Sequence, residues 1–339
     1  MAEAYRGGYL SPEESRRIYD SLCPKLEISM ATGLHCTLTK EGIRGFIKDS
    51  VEAGFRYGCA STFRGYEDIF GHNRDFSVLA RNEGFQVVHI MNAWNPTGED
   101  NILKAIVAGL EGQRKRAKGD TGQPPIVQDA LFPSADKCKS MIWDEKSGLL
   151  NFFPNAKLVT YDVNVSFPSE RVLIDINPGI KMSPEEFCGL AQQKCWKIVF
   201  DPQHLLVEPE VTLSLPNKPT EKAKDTWSRQ FNLYSKAGLI EVVDINPNPE
   251  EENDLLEGRG RWIDVASAVR SNNGGIFEGR EGLKIKYLRV EALFHPHWTA
   301  ERLKDKLPHK YSAGLTNLSP YRKEAIEFWQ TIGQKLMGF

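Results

Sequence analysis

The chain is poor in the features that send a protein to a membrane, a polyanion or an oxidising compartment. Nowhere in its 339 residues is there an apolar run of the roughly 18 needed to cross a bilayer. Residues 1–10 lack the apolar core of a signal peptide, so the expected location is cytoplasmic. The six cysteines are scattered and include no Cys-x-x-Cys pair, which excludes a zinc ribbon or a thioredoxin-like motif; they read as reduced core residues. A net charge of −2 leaves no excess of cations to neutralise phosphates, and nucleic acid is not an expected partner. No P-loop, Gly-x-Ser-x-Gly elbow, His-Glu-x-x-His motif or complete dinucleotide fingerprint occurs. Tandem repeats and low-complexity tracts are missing too.

What remains is an ordinary globular composition, 40% hydrophobic and 26% charged, with enough apolar residues for a sizeable core. Apolar strand-like runs alternate with amphipathic stretches. Residues 26–30, 55–60, 85–91, 126–131, 171–175, 196–201, 239–244 and 284–291 read as strands. Helical patterns fill most of the gaps, among them 39–53, 73–82, 100–118, 183–194, 222–237 and 263–271. Ser11-Pro-Glu-Glu opens an N-terminal entry helix with a cap, an early proline and acids at the positive dipole end.

Alternation of about eight strands with helices predicts an α/β fold, a (β/α)8 TIM barrel. An irregular insertion is expected around 132–168, containing the strand-like Lys157-Leu-Val-Thr-Tyr161, with extra helices at the C-terminus. No linker divides the chain, so 1–339 is expected to form one domain, with the barrel at about 25–310 and a helical extension at about 311–339. On that extension Phe328, Trp329, Ile332 and Leu336 recur at helical spacing. Such a face packs on its own barrel or on a second copy, which keeps a homo-oligomer open.

In a barrel of this kind chemistry gathers where strands end at their C-terminal side. Asp175, Asp201, Asp244 and Glu291 each close a strand-like run. Four carboxylates converging on one mouth call for a cation, and oxygen donors suit Mg or Mn, with imidazole extending the choice to Co or Zn. Asp201 begins Asp-Pro-Gln-His204, and Glu257-Gly-Arg-Gly-Arg-Trp-Ile-Asp264 forms a glycine-rich turn before a helix. Asp264 reads as that helix's N-cap.

The stretch from about 171 to 291 resembles the xylose-isomerase-like sugar isomerase and epimerase family. Members of that family carry an acid ending strand five, Asp-x-x-His after strand six, a Gly-x-Gly turn and a glutamate ending the last strand. The resemblance implies Asp175, Asp201 and Glu291 as metal ligands and His204 as hydrogen-bond partner of a substrate hydroxyl. It also implies that Gly258, Gly260 and Asp264 shape a loop over the barrel mouth. Two departures stand out: aspartate replaces the usual glutamate at 175, and where strand seven usually offers histidine this chain offers Asp244 or, with a shifted register, Glu241 or Asn246.

The chemistry implied is proton abstraction beside a carbonyl on a small polyhydroxylated substrate, assisted by a divalent metal and passing through an enediolate. Glu291 is the expected base and Asp175 the complementary acid/base. Substrate contacts are further expected from His35, Trp94, Arg259, His295 and His297, which lie at or beyond strand ends or in the glycine-rich turn, and from His89 inside the strand-like run 85–91. A dehydratase or carbon–carbon lyase begins with the same proton abstraction, and a metal-free binding barrel without turnover is the non-catalytic alternative.

Overall fold

The structure, a computed structural model, describes residues 11, 13, 23–29, 40–61, 73–91, 153–165, 167–176, 180, 182–203, 205–206, 221–247, 249–274, 285–290 and 322–338. Eight strands form a closed barrel in sequence order, each parallel to its neighbours: β1 Lys25–Ser29, β2 Tyr57–Ser61, β3 Gln86–Met91, β4 Lys157–Thr160, β5 Val172–Asp175, β6 Lys197–Phe200, β7 Ile240–Ile245 and β8 Tyr287–Val290. The ring closes where Lys25–Ile28 run beside Tyr287–Val290. This is the expected TIM barrel.

Helices occupy the intervals: α1 Lys40–Glu52, α2 Asn73–Asn82, α3 Pro184–Gln193, α4 Glu221–Lys236, α5 Pro249–Leu256, α6 Arg261–Gly274 and the closing α7 Arg322–Met337. The start of α3 shows how local sequence sets a boundary. Ser183 accepts a hydrogen bond from the Glu186 amide, the Glu186 carboxylate accepts from the Ser183 amide, and Pro184 takes the first turn.

Some expectations change, and others fall outside the described residues. Lys157–Thr160 is not part of an insertion but the fourth barrel strand, with His89 opposite Lys157 and Leu158 opposite Val172. The strand candidate 126–131 and, apart from Ser11 and Glu13, the entry helix lie outside the described residues. The excursion before Arg261 contains α5, and Asp264 stands inside the first turn of α6 rather than capping it; its amide donates to the Gly260 carbonyl.

Strand residues alternate between two faces, which sorts the interior into two bodies. Outward-facing Leu158, Ile174, Ile198, Phe200, Val243, Leu288 and Val290 join the helices in one large core. Val159, Leu173, Val199 and Val242 form a separate apolar layer inside the barrel, against Tyr287. The closing helix packs on its own barrel, burying Ile326, Trp329, Ile332 and Leu336. Gly333 permits that approach, since a Cβ there lies 3.2 Å from Leu26 Cδ1.

Candidate active site at the C-terminal ends of β5 to β8

Period two carries the chain from the apolar layer to the mouth. Two residues beyond Leu173, Val199, Val242 and Tyr287 come Asp175, Asp201, Asp244 and Arg289. Each therefore faces the interior one layer nearer the C-terminal ends. All four are buried, Arg289 completely. In such surroundings charges persist only when paired or hydrogen-bonded.

Arg289 supplies the pairing. Its Nε donates to Asp244 Oδ1 at 2.7 Å and its Nη2 to Asp244 Oδ2 at 2.6 Å, a two-pronged fork across the β7–β8 ladder where Asp244 and Arg289 are register partners. The same Nη2 lies 3.5 Å from Asp175 Oδ2, and Nη1 lies 3.7 Å from Cys59 Sγ on β2. One guanidinium thus ties β2, β5, β7 and β8 together. Sequence reasoning passed over Arg289, although its spacing of two from Glu291 on a strand placed both on one face.

Asp201 is organised differently. One residue past β6, its Oδ1 accepts from the Gln203 amide at 2.7 Å, and the Gln203 side chain donates to the Asn246 carbonyl beyond β7. Farther along, Leu206 is fastened by buried Gln230 of α4: Gln230 Nε2 donates to the Leu206 carbonyl at 2.7 Å, and the Leu206 amide donates to Gln230 Oε1 at 3.3 Å.

Below the acid layer, on the β1–β3 side, His89 Nδ1 donates to Glu27 at 2.8 Å, both side chains being buried. The His89 ring meets Tyr287 edge-on, with centroids 5.1 Å apart. Burial and then the charge of Glu27 push the Tyr287 phenol up to about 12. His89, expected to touch substrate, instead has a buried carboxylate partner within the barrel, one inward-facing residue below Met91. Arg259 is likewise spent locally. It is 63% exposed and pairs with Asp254 near the end of α5 and with Glu257 in the turn that follows.

In that turn Gly258 and Gly260 have φ of 75° and 85°, which explains the glycines. A Cβ on Gly258 meets Lys335 of the closing helix at 3.2 Å. His35, Trp94, His204, Glu291, His295 and His297 lie outside the described residues.

Among the described residues, no three His, Cys, Asp or Glu side chains are placed to hold a metal ion. Asp244 is a poor ligand for a physical reason: both its oxygens hold the guanidinium, and a metal there breaks a buried fork. The described donors do not fit a metal centre built through Asp244. They form instead a mouth of acids with an internal cation.

The fold and this mouth define an α/β barrel with ionisable groups gathered at the C-terminal ends of adjacent strands. No family model matches the chain, and no curated protein matches it. Among solved structures it is similar to a D-psicose 3-epimerase with D-tagatose from Clostridium cellulolyticum H10, at 11% identity and TM-score 0.40, covering 89% of this chain and 99% of that one. A xylose isomerase domain containing protein from Salmonella typhimurium LT2 matches at 10% identity and TM-score 0.37, over 89% and 94%. Dispersin B matches at 11% identity and TM-score 0.36, over 92% and 98%. Xylose-isomerase-like barrels are thus among the matches, and a likeness of this degree concerns the path of the chain and carries no chemistry.

Proposed function

We propose that this barrel is an isomerase or epimerase of a keto-sugar or related hydroxy-carbonyl compound, moving a proton on the carbon beside the carbonyl through an enediolate. The observation that carries the reading is the layer of Asp175, Asp201, Asp244 and Arg289, buried at the C-terminal ends of four adjacent strands. Burying charge is costly, and in this fold the C-terminal face is where catalytic groups are built. The sequence resemblance supports the reaction class. In this reading Glu291 removes the proton, Asp175 serves the opposite face and His204 hydrogen-bonds a substrate hydroxyl. Asp201, held by its own loop, belongs to the same mouth.

A divalent ion of the kind the resemblance implies would find no free ligand in Asp244, whose two oxygens both hold Arg289. Arg289 pairs with Asp244 and approaches Asp175 at the edge of the site. The partner is a small polyhydroxylated molecule. Among the described residues, Cys23, Cys59, Cys188 and Cys195 form no disulfide, and Cys195 is exposed rather than in the core.

The test is solvent exchange. The protein is incubated in D2O with a panel of ketohexoses, ketopentoses and smaller hydroxyketones, and deuterium entering the carbon beside the carbonyl is followed by NMR. Exchange that disappears in Glu291→Gln supports the proposal. Saturable binding without exchange across the panel points instead to a barrel that binds without turnover.

A further inference from the structure

The alternation that carries acids to the C-terminal mouth carries cations to the opposite end. Two residues before Glu27, Val159 and Val199 on their strands stand Lys25, Lys157 and Lys197, so lysines from β1, β4 and β6 share the inward face of the N-terminal layer. Arg56, Arg171 and Lys286 immediately precede β2, β5 and β8. Six of the eight strands are therefore entered through a cation, in a chain whose net charge is −2. A general excess of lysine and arginine does not account for that. The interior is polarised along the barrel axis, with cations at one end, an apolar layer in the middle and acids at the other.

Two described carboxylates, Glu27 and Glu241, point into this end, and both are buried and already paired. Glu27 is held by His89. Glu241 accepts from Lys157 at 2.7 Å and faces Lys286 at 3.6 Å, so one acid answers two ammonium groups. That acid is 5% exposed, whereas Lys286 is 55% exposed, and the charge presented to solvent is positive. The Lys25 amide donates to the Lys286 carbonyl at 2.8 Å, which sets these two lysines side by side on β1 and β8. Lys25 has an aromatic face in place of an acid: its Nζ lies 4.7 Å from the Tyr57 ring centroid. Tyr57 meets Tyr287 edge-on at 5.8 Å, and Tyr287 meets His89 in turn. Ammonium groups gathered at one opening repel one another, a cost that a bound anion removes. Lysine offers a compact charge with three rotatable donors, which suits the oxygens of a phosphate, while a planar carboxylate is matched by an arginine fork such as the one at Asp244.

We propose that the N-terminal opening of the barrel is a second binding site, taking a small multivalent phosphate-bearing anion between Lys25, Lys157 and Lys286 beside Tyr57 and Tyr287. It lies at the pole opposite the acids of the mouth and does not rest on the proposed reaction.

The experiment titrates inorganic pyrophosphate into the full-length protein by calorimetry in low-salt buffer. Saturable binding with a Kd below about 1 mM is expected, weakening as salt is added. A double variant, Lys25→Gln with Lys286→Gln, changes two exposed side chains; it should keep the wild-type circular dichroism spectrum and weaken binding about 10-fold or more. Lys323→Gln, an exposed lysine of the closing helix, should bind as the wild type does. In 15N-labelled protein, pyrophosphate should shift the amide signals of Tyr57 and Tyr287 and leave those of Asp175 and Asp244 in place. Absence of saturable binding in the wild type overturns the proposal without any variant. So does binding that the double variant leaves intact, or binding whose shifts fall at Asp175 and Asp244. Vesicles distinguish the other source of phosphate: protein that sediments with phosphatidylcholine vesicles containing phosphatidic acid, yet does not bind pyrophosphate, uses this pole on a membrane surface, and the small-anion site is then wrong. The deuterium exchange experiment reads the opposite pole, so its failure counts against the proposed reaction and leaves these results unchanged.

Discussion

Arg289 and Asp244 face each other across the β7–β8 ladder as a two-bond fork with N–O distances of 2.7 and 2.6 Å, both side chains being buried. Asp175 approaches the same guanidinium from β5. The arrangement answers the problem posed by acids crowded at a barrel mouth with a fixed internal cation. It also takes Asp244 out of the set of available ligands.

Removing one partner of this fork strands a buried charge. Arg289→Met is expected to destabilise the fold by about 3–5 kcal/mol in chemical denaturation. A double variant, Arg289→Met with Asp244→Leu, removes both charges and should recover a large part of that loss. Recovery will be incomplete because Asp175 also faces the guanidinium. Additive losses in the double variant would show that the two residues do not act as a pair.

Glu241 gives a pH dependence with a definite sign. It is the extra residue at the register shift between β6 and β7, where Ile198 pairs with Ile240 but Val199 with Val242. Burial alone raises its pKa, but the Lys157 hydrogen bond at 2.7 Å, with the charges of Lys157, Lys286 and His89, outweighs burial and holds the carboxyl below its ordinary 4.5. The unfolded chain then binds the proton more readily than the folded one. Stability from this group is complete above the ordinary value and is lost as pH falls through the lowered one. Melting temperatures followed from about pH 7 to pH 3 should fall less steeply in Glu241→Gln than in the wild type. Identical slopes would remove Glu241 from the acid response.

Much of the barrel was legible because its signals are local. Strand-like runs ending in Asp175, Asp201 and Asp244 stand beside helical patterns, and a period of two assigns those acids to one face. The fourth strand was harder, since 126–131 and 157–161 are both short and apolar, and periodicity does not choose between them. Pairing decides: Lys157–Thr160 fits between β3 and β5. Arg289 escaped notice for a related reason. Its partner depends on which residue of β7 lies opposite, a fact created by the closed sheet. Arg259 shows the reverse case: a motif singles it out, while the structure pairs it with Asp254 and Glu257, close in sequence.

Close packing between β2 and β3 yields a steric prediction. A Cβ on Gly58 runs into Phe85 Cζ and lies 2.6 Å from Cε1, and Phe85 is buried in the main core. The ring is rigid, so relief requires a backbone or rotamer shift. Gly58→Ala is expected to cost about 1–3 kcal/mol in denaturant unfolding. Phe85→Leu in that background should return part of the loss by shortening the side chain that meets the new methyl, although Phe85→Leu alone is itself destabilising. A stabilised Gly58→Ala protein would mean that the two strands separate at this point at little cost.

The functional proposal separates Glu291 from Asp244 in a way that two variants can read. Glu291 is assigned to proton transfer, so Glu291→Gln should keep the circular dichroism spectrum and substrate binding of the wild type while losing deuterium exchange by about 100-fold or more. Near-normal exchange in that variant sinks the assignment. Asp244 is assigned to Arg289. If protein purified without chelator carries a divalent metal by elemental mass spectrometry, Asp244→Asn should retain the same stoichiometry per chain while losing stability through the broken fork. Loss of metal in folded Asp244→Asn would make Asp244 a ligand, and would require the fork to open in the metal-loaded protein. The two variants should therefore fail differently: one loses chemistry in an intact fold, and the other loses stability with its metal content unchanged.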